Sequence, residues 1–199
     1  MAASSNFGNI LTVLGSSAFL SFLPMLPLQL LAQNLLYDLS QTTIPFDPVD
    51  AEDLAKPRRW ETLGIARFML VLGPISSVFD LVTFALLWWV FGANGVDKQA
   101  LFQSGWFVEG LLSQTLIVHL IRTRKVPFFQ SWPCAPLLFS TALIVAIGVI
   151  LPFTGIGSAI GLVRLPVAYF FWLVAILFSY CLAIQAVKIW YLKQFKAWI

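Results

Sequence analysis

Charge is scarce in this sequence. Lys, Arg, Asp and Glu make up 11% of its 199 residues, with one histidine, His119, and two cysteines, Cys134 and Cys181. No Lys/Arg run interleaves with aromatic residues, so the net charge of +3 is no nucleic-acid footprint, and nucleic acid drops out as a partner. The cysteines are spaced for neither a metal nor a redox centre. Each is expected to pack as a small apolar side chain. Also missing are a glycine-rich phosphate loop, a zinc-ligand spacing and a nucleophile elbow. Gly155-Ile156-Gly157 reads as a turn. There is no internal repeat and no low-complexity segment, and the N-terminus lacks the basic stretch of a cleavable signal peptide.

What the chain has is apolar surface. Hydrophobic residues are 59% of the total and the mean hydropathy is +0.87. A soluble domain of this size cannot hide that much, so the lipid bilayer is the expected solvent. Residues 1–199 read as a single transmembrane domain: an all-α membrane protein, a bundle of about six transmembrane helices near 5–22, 27–41, 65–91, 102–122, 136–152 and 167–190. Pro24 and Pro27 break the first two segments apart, and Pro27 suits a first helical position. The second segment is short: about fifteen residues at ~1.5 Å each do not span a ~30 Å hydrocarbon core. It is expected to lie among neighbours.

The basic residues sort the loops. Lys56, Arg58, Arg59 and Arg67 lie around the second loop, Lys98 alone in the next, Arg122, Arg124 and Lys125 in the one after. Arg164 then stands alone, and Lys188, Lys193 and Lys196 close the chain. This alternation takes in all twelve basic residues and places loops 42–64 and 123–135, the N-terminal end and the C-terminus on the cytoplasmic side. The 22–27 turn and loops 92–101 and 153–166 then face outside. Trp60, Trp88, Trp89, Trp106, Trp132, Trp190 and Trp198 fall near segment ends, as interfacial anchors do.

Of nine acidic residues, three fall within the apolar segments: Asp38, Asp80 and Glu109. An ionisable group at that depth is expensive unless partnered, and so points to function. Asn34 and Asp38, four apart, share a helix face and aim their oxygens at one point. Oxygen ligands of this kind suit a hard cation such as Mg²⁺ or Ca²⁺. Such an ion needs about six oxygens and nearby negative charge. Asn34 and Asp38 with Glu109 are the obvious donors, and Asn6 and Asn9, three apart on the first segment, could complete the shell around one polar cavity. Other intramembrane polar residues have simpler roles. Asp80 is expected to be a hydrogen-bonded structural carboxyl and His119 an interfacial packing residue. Asn6 and Asn9 are equally well read as packing glue between helices.

Four stretches carry a family resemblance: Ser4-Ser5-Asn6-Phe7-Gly8-Asn9, Gln33-Asn34-Leu35-Leu36-Tyr37-Asp38, Asp47-Pro48-Val49-Asp50 with Lys56-Pro57-Arg58-Arg59, and Leu101 to Thr115. With Phe68-Met69 and Gly73 to Asp80 they cover essentially the whole chain. It resembles the C-terminal transmembrane half of P-type cation-transporting ATPases, most closely the bacterial magnesium-transporting type. The resemblance implies that Asn6 and Asn9 sit where the fifth helix donates ligands, and Asn34, Tyr37 and Asp38 where the sixth does. Glu109 matches the acidic position of the eighth helix. Calcium pumps place a Glu where Asn9 stands, and the loss of that carboxylate fits a single divalent site.

By the same resemblance, Mg²⁺ is the transported ion, moved inward across the bacterial inner membrane at the expense of ATP. The Asp-Lys-Thr-Gly phosphorylation motif and the nucleotide and actuator domains do not occur in these residues. The chain is therefore expected to be a fragment without a catalytic site of its own. ATP would act only through remaining pump domains, encoded separately or upstream. The competing expectations are a free-standing helical membrane protein (a channel or accessory subunit) uncoupled from ATP, and a pump domain for another divalent cation such as Ca²⁺.

Overall fold

The computed structural model describes residues 2–48 and 62–195, and of Asn6 the backbone alone. The basic stretch Lys56–Arg59, Trp60, Lys196 and Trp198 lie outside the described residues. The described chain is helical, with no strand, and is an all-α membrane domain. Six main helices are labelled α1 (Ala2–Ser17), α2 (Pro27–Gln41), α3 (Thr62–Ala85), α4 (Gln99–Ile121), α5 (Ala135–Ile150) and α6 (Val167–Phe195). Three stretches among the described residues are long and apolar enough to cross a bilayer: Met69–Val90, Ala135–Phe153 and Val167–Gln194.

α4 is the axis of the bundle. It packs against α2, α3, α5 and α6, while α1 lies along α3 and α2 along α5. Its residues from Phe102 to Ile121 are buried with the exception of Leu116. The helix carries Gln103, Glu109, Gln114 and His119 and is not among the stretches apolar enough to cross alone. Its neighbours shield it, and in an apolar solvent the interior of a bundle is where polar side chains find partners.

Local sequence explains the ends of the helices. α1 stops at Ser17, because the carbonyl of Ser16 accepts the N–H groups of both Phe19 and Leu20 and closes the last turn; Pro24 lies beyond. α2 starts at Pro27, whose missing N–H costs nothing at a first helical position. The Gln29 side chain accepts the N–H of Leu26 at 3.0 Å and donates to the carbonyl of Ile160 at 3.1 Å. That second bond pins the start of α2 to the 153–166 loop. The same loop is tied to α4 through Ser104, whose hydroxyl accepts the N–H of Val163 at 2.8 Å. Within it Gly155–Ala159 forms a short helix capped by Thr154, where the sequence suggested only a turn.

α3 contains Pro74 and runs into a π-helical turn, Leu86–Val90. Within that turn Leu87 is fully buried against Gly105 of α4, where an added Cβ would stand 2.7 Å from a Leu87 methyl. A side chain at position 105 would therefore fit only if Leu87 moved.

The opposite end of the bundle is held by charge. Arg122 pairs with Asp47 in a nearly buried ion pair, and its other nitrogen donates to the Ser131 carbonyl at 2.9 Å. The second oxygen of Asp47 accepts the N–H of Cys134 at 2.7 Å. The buried Lys188 of α6 donates to the carbonyls of Leu120 and Lys125, at 2.8 and 2.7 Å, at the end of α4. Lysine at a helix C-terminus meets carbonyls that have no intrahelical partner.

Candidate ion-binding site

The polar centre of the bundle lies where α1, α3 and α4 meet. α1 approaches α3 closely through Gly8: an added Cβ would stand 3.1 Å from the Gly73 carbonyl, and the Ser77 hydroxyl donates to the Gly8 carbonyl at 2.8 Å. One turn along, the Thr12 hydroxyl donates to Asp80 Oδ2 at 2.6 Å. From α4, the indole N–H of Trp106 donates to Asp80 Oδ1 at 3.0 Å. Both oxygens of this intramembrane carboxyl group therefore accept from neutral donors on two other helices.

Glu109 follows Trp106 by three residues and shares its face of α4. It is fully buried. Its carboxyl group approaches Asp80 and the Ser113 hydroxyl, yet neither of its oxygens completes a well-formed hydrogen bond among the described residues. Tyr180 of α6, whose hydroxyl meets Ser76 at 3.1 Å, lies within electrostatic range of both carboxyl groups. On the α2 side, the Gln33 amide packs against Gly110, in the space a Cβ would fill. Gln33 Oε1 and both polar atoms of Gln114 are buried without a hydrogen-bond partner among the described residues.

The other expected ligands sit elsewhere. The buried stripe of α2 is Gln29, Gln33, Tyr37 and Ser40, a spacing that follows the helical repeat. Asn34 and Asp38 each stand one position past a member of that stripe, about 100° round the helix. Asn34 is accordingly half-buried and Asp38 exposed, with no hydrogen bond or ion pair among the described residues. Tyr37 points inward beside Gln41. Asn9 is half-buried on α1, and the Asn6 side chain lies outside the described residues. Asp38 and Glu109 are thus not gathered round one cavity, because helix rotation sends Tyr37 rather than Asp38 into the bundle. No three His, Cys, Asp or Glu side chains converge among the described residues.

Two further side chains differ from or refine the sequence reading. Trp106 is 1% exposed and belongs to the core, where an interfacial position was expected. Its ring packs edge-on against Phe84 at 4.9 Å. His119 is buried, with Nε2 3.0 Å from the Thr141 hydroxyl and its ring against Phe128.

Residues 22–190 match the family described as cation transporting ATPase, C-terminus. The chain belongs to this family. It is 58% identical over 198 residues to the Magnesium-transporting ATPase, P-type 1, of Salmonella typhimurium strain LT2, covering 100% of this chain and 22% of the relative. The protein of the same name from Escherichia coli K12 is 58% identical over 195 residues, 98% of this chain and again 22% of the relative. The chain spans about a fifth of the length of these curated relatives. It is homologous to the C-terminal membrane portion of such pumps.

Asp80 is the hydrogen-bonded carboxyl group expected from the sequence, on partners the sequence did not name. A signal was present: Trp106 and Glu109 share a face of α4, and a buried indole N–H needs an acceptor. What no one-dimensional pattern supplies is the acceptor's address, 26 residues away on α3.

Proposed function

We propose that this chain is the ion-binding membrane portion of an ATP-driven pump that carries Mg²⁺ into the cell across the bacterial inner membrane. ATP is turned over by other domains of the same pump. The observation that carries the reading is 58% identity, sustained over the full chain, to pumps named for magnesium transport. Carboxyl groups at Asp38, Asp80 and Glu109 on otherwise apolar helices support it, since intramembrane acids mark ion pathways. The chain is read as crossing the bilayer six times, with loops 42–64 and 123–135 in the cytoplasm.

In this reading Asn34, Tyr37 and Asp38 on α2, Asn6 and Asn9 on α1, and Glu109 on α4 supply oxygens to the ion along its path. Asp38 contributes the negative charge on the α2 face, where Asn34 is one turn away. The test is a complete pump carrying Asp38→Asn, expressed in a strain that depends on it for growth at limiting Mg²⁺. The substitution keeps shape and hydrogen-bonding capacity and removes charge. Loss of growth with normal membrane insertion is expected; undiminished growth would make Asp38 structural.

A further inference from the structure

Asp80 and Glu109 lie side by side, with no basic partner among the described residues. The groups around them are the Thr12, Ser113 and Tyr180 hydroxyls, Tyr169 and the Trp106 indole. A pair of carboxyl groups shielded from water must either share a proton or hold a cation, since uncompensated buried charge is strongly destabilising. The Glu109 oxygens are fully buried and, although near Asp80 and Ser113, complete no well-formed hydrogen bond among the described residues, which leaves lone pairs for a ligand. Asp80, held by Thr12 and Trp106, is fixed in place, yet each carboxylate oxygen keeps a second lone pair.

We propose that Asp80 and Glu109, with the Thr12 and Ser113 hydroxyls, form a Mg²⁺ site between α1, α3 and α4, distinct from the Asn34/Asp38 face of α2. Mg²⁺ suits it better than a larger ion. Mg²⁺ is held by one or two carboxylates while retaining several waters, whereas Ca²⁺ takes six to eight oxygens. The donors here are two carboxylates and two hydroxyls on three packed helices. The site rests on the magnesium reading above for its ion, and on the packing of α1, α3 and α4 for its location.

The test uses the chain in lipid nanodiscs, titrated with Mn²⁺ as a paramagnetic stand-in and followed by the electron-spin signal of free Mn²⁺. Unmodified chain is expected to bind Mn²⁺ and release it to excess Mg²⁺. Asp80→Asn and Glu109→Gln should each weaken binding at least tenfold, Thr12→Val less, and Trp89→Phe, at an exposed side chain outside every proposed ligand set, should leave binding intact. Thermal unfolding separates an ion site from a structural pair. Without metal the two neutral variants should melt no lower than the unmodified chain, and both should lose the rise in melting temperature that Mg²⁺ produces. The charge-keeping Asp80→Glu should retain part of that rise.

Binding that survives Asp80→Asn and Glu109→Gln but fails in Asp38→Asn would overturn the site and leave the magnesium reading standing. Neutral variants that melt lower while keeping the full Mg²⁺ rise would make the pair structural, and no Mn²⁺ binding by the unmodified chain would also overturn the site. Displacement of Mn²⁺ by Ca²⁺ but not by Mg²⁺ would count against the magnesium reading, and the carboxyl variants would still locate the site.

Discussion

The Trp106 indole reaches across from α4 to Asp80 on α3, and the bond of 3.0 Å is joined on the far oxygen by Thr12 of α1. One carboxyl group thereby fastens three helices that are distant in sequence. Hydrogen bonds across helices in lipid contribute about 0.6–2 kcal/mol each. Their larger effect is to fix helix rotation, since α4 cannot turn without leaving an acceptor bare.

Trp106→Phe keeps most of the ring's packing and removes the donor. Asp80 Oδ1 is then left without its partner, and a loss of about 1–3 kcal/mol is expected. Unfolding in detergent measures it. Trp89→Phe, at a side chain 78% exposed, is the control, with an expected change within about 0.5 kcal/mol.

Gly110→Ala puts a methyl group where the Gln33 amide lies. Crowding should destabilise the α2–α4 contact by about 1–3 kcal/mol. Adding Gln33→Ala should recover much of the loss, so a double-mutant cycle is expected to show strong coupling. Additive effects would mean the two residues do not meet.

Arg122→Ala strands Asp47 beside the Cys134 N–H and empties the bonds to Ser131. Breaking one side of a buried pair costs about 3–5 kcal/mol. Replacing both partners, Arg122→Met with Asp47→Leu, should cost less than Arg122→Ala alone. Equal losses would show that the bonds to Ser131 and Cys134, rather than the charges, carry the stability.

The proposed arrangement of six crossings would put position 98 outside and position 124 inside. In a Cys134→Ala, Cys181→Ala background, Lys98→Cys should react with an impermeant thiol reagent in whole cells and Arg124→Cys should not. Labelling at 124 from outside would refute the orientation argued from the basic residues.

The fold class was legible because a chain this apolar has one compatible solvent. The site was legible in part. Asp38 and Asn34 were found by their spacing, which says that two residues share a face and nothing about where that face points. The direction was written in another pattern: Gln29, Gln33, Tyr37 and Ser40 repeat along α2 and are all buried. In a membrane bundle a polar stripe marks the inside and the leucines the outside. Leu31, Leu35 and Leu39 are accordingly exposed. Glu109 stood out as an acid among apolar residues, but its partner on α3 follows from packing alone.

The polarity of α4 also has a consequence for how the chain enters the bilayer during synthesis. A segment carrying Gln103, Glu109, Gln114 and His119 partitions poorly into lipid as an isolated helix. α3 is made first and brings Asp80; α5 and α6, which are apolar enough to cross alone, follow. α4 is therefore expected to linger at the insertion machinery until helices made on either side can take it up, so that its placement is a collective event. Deleting α5 and α6 should then leave α4 exposed to protease, although its own sequence is intact.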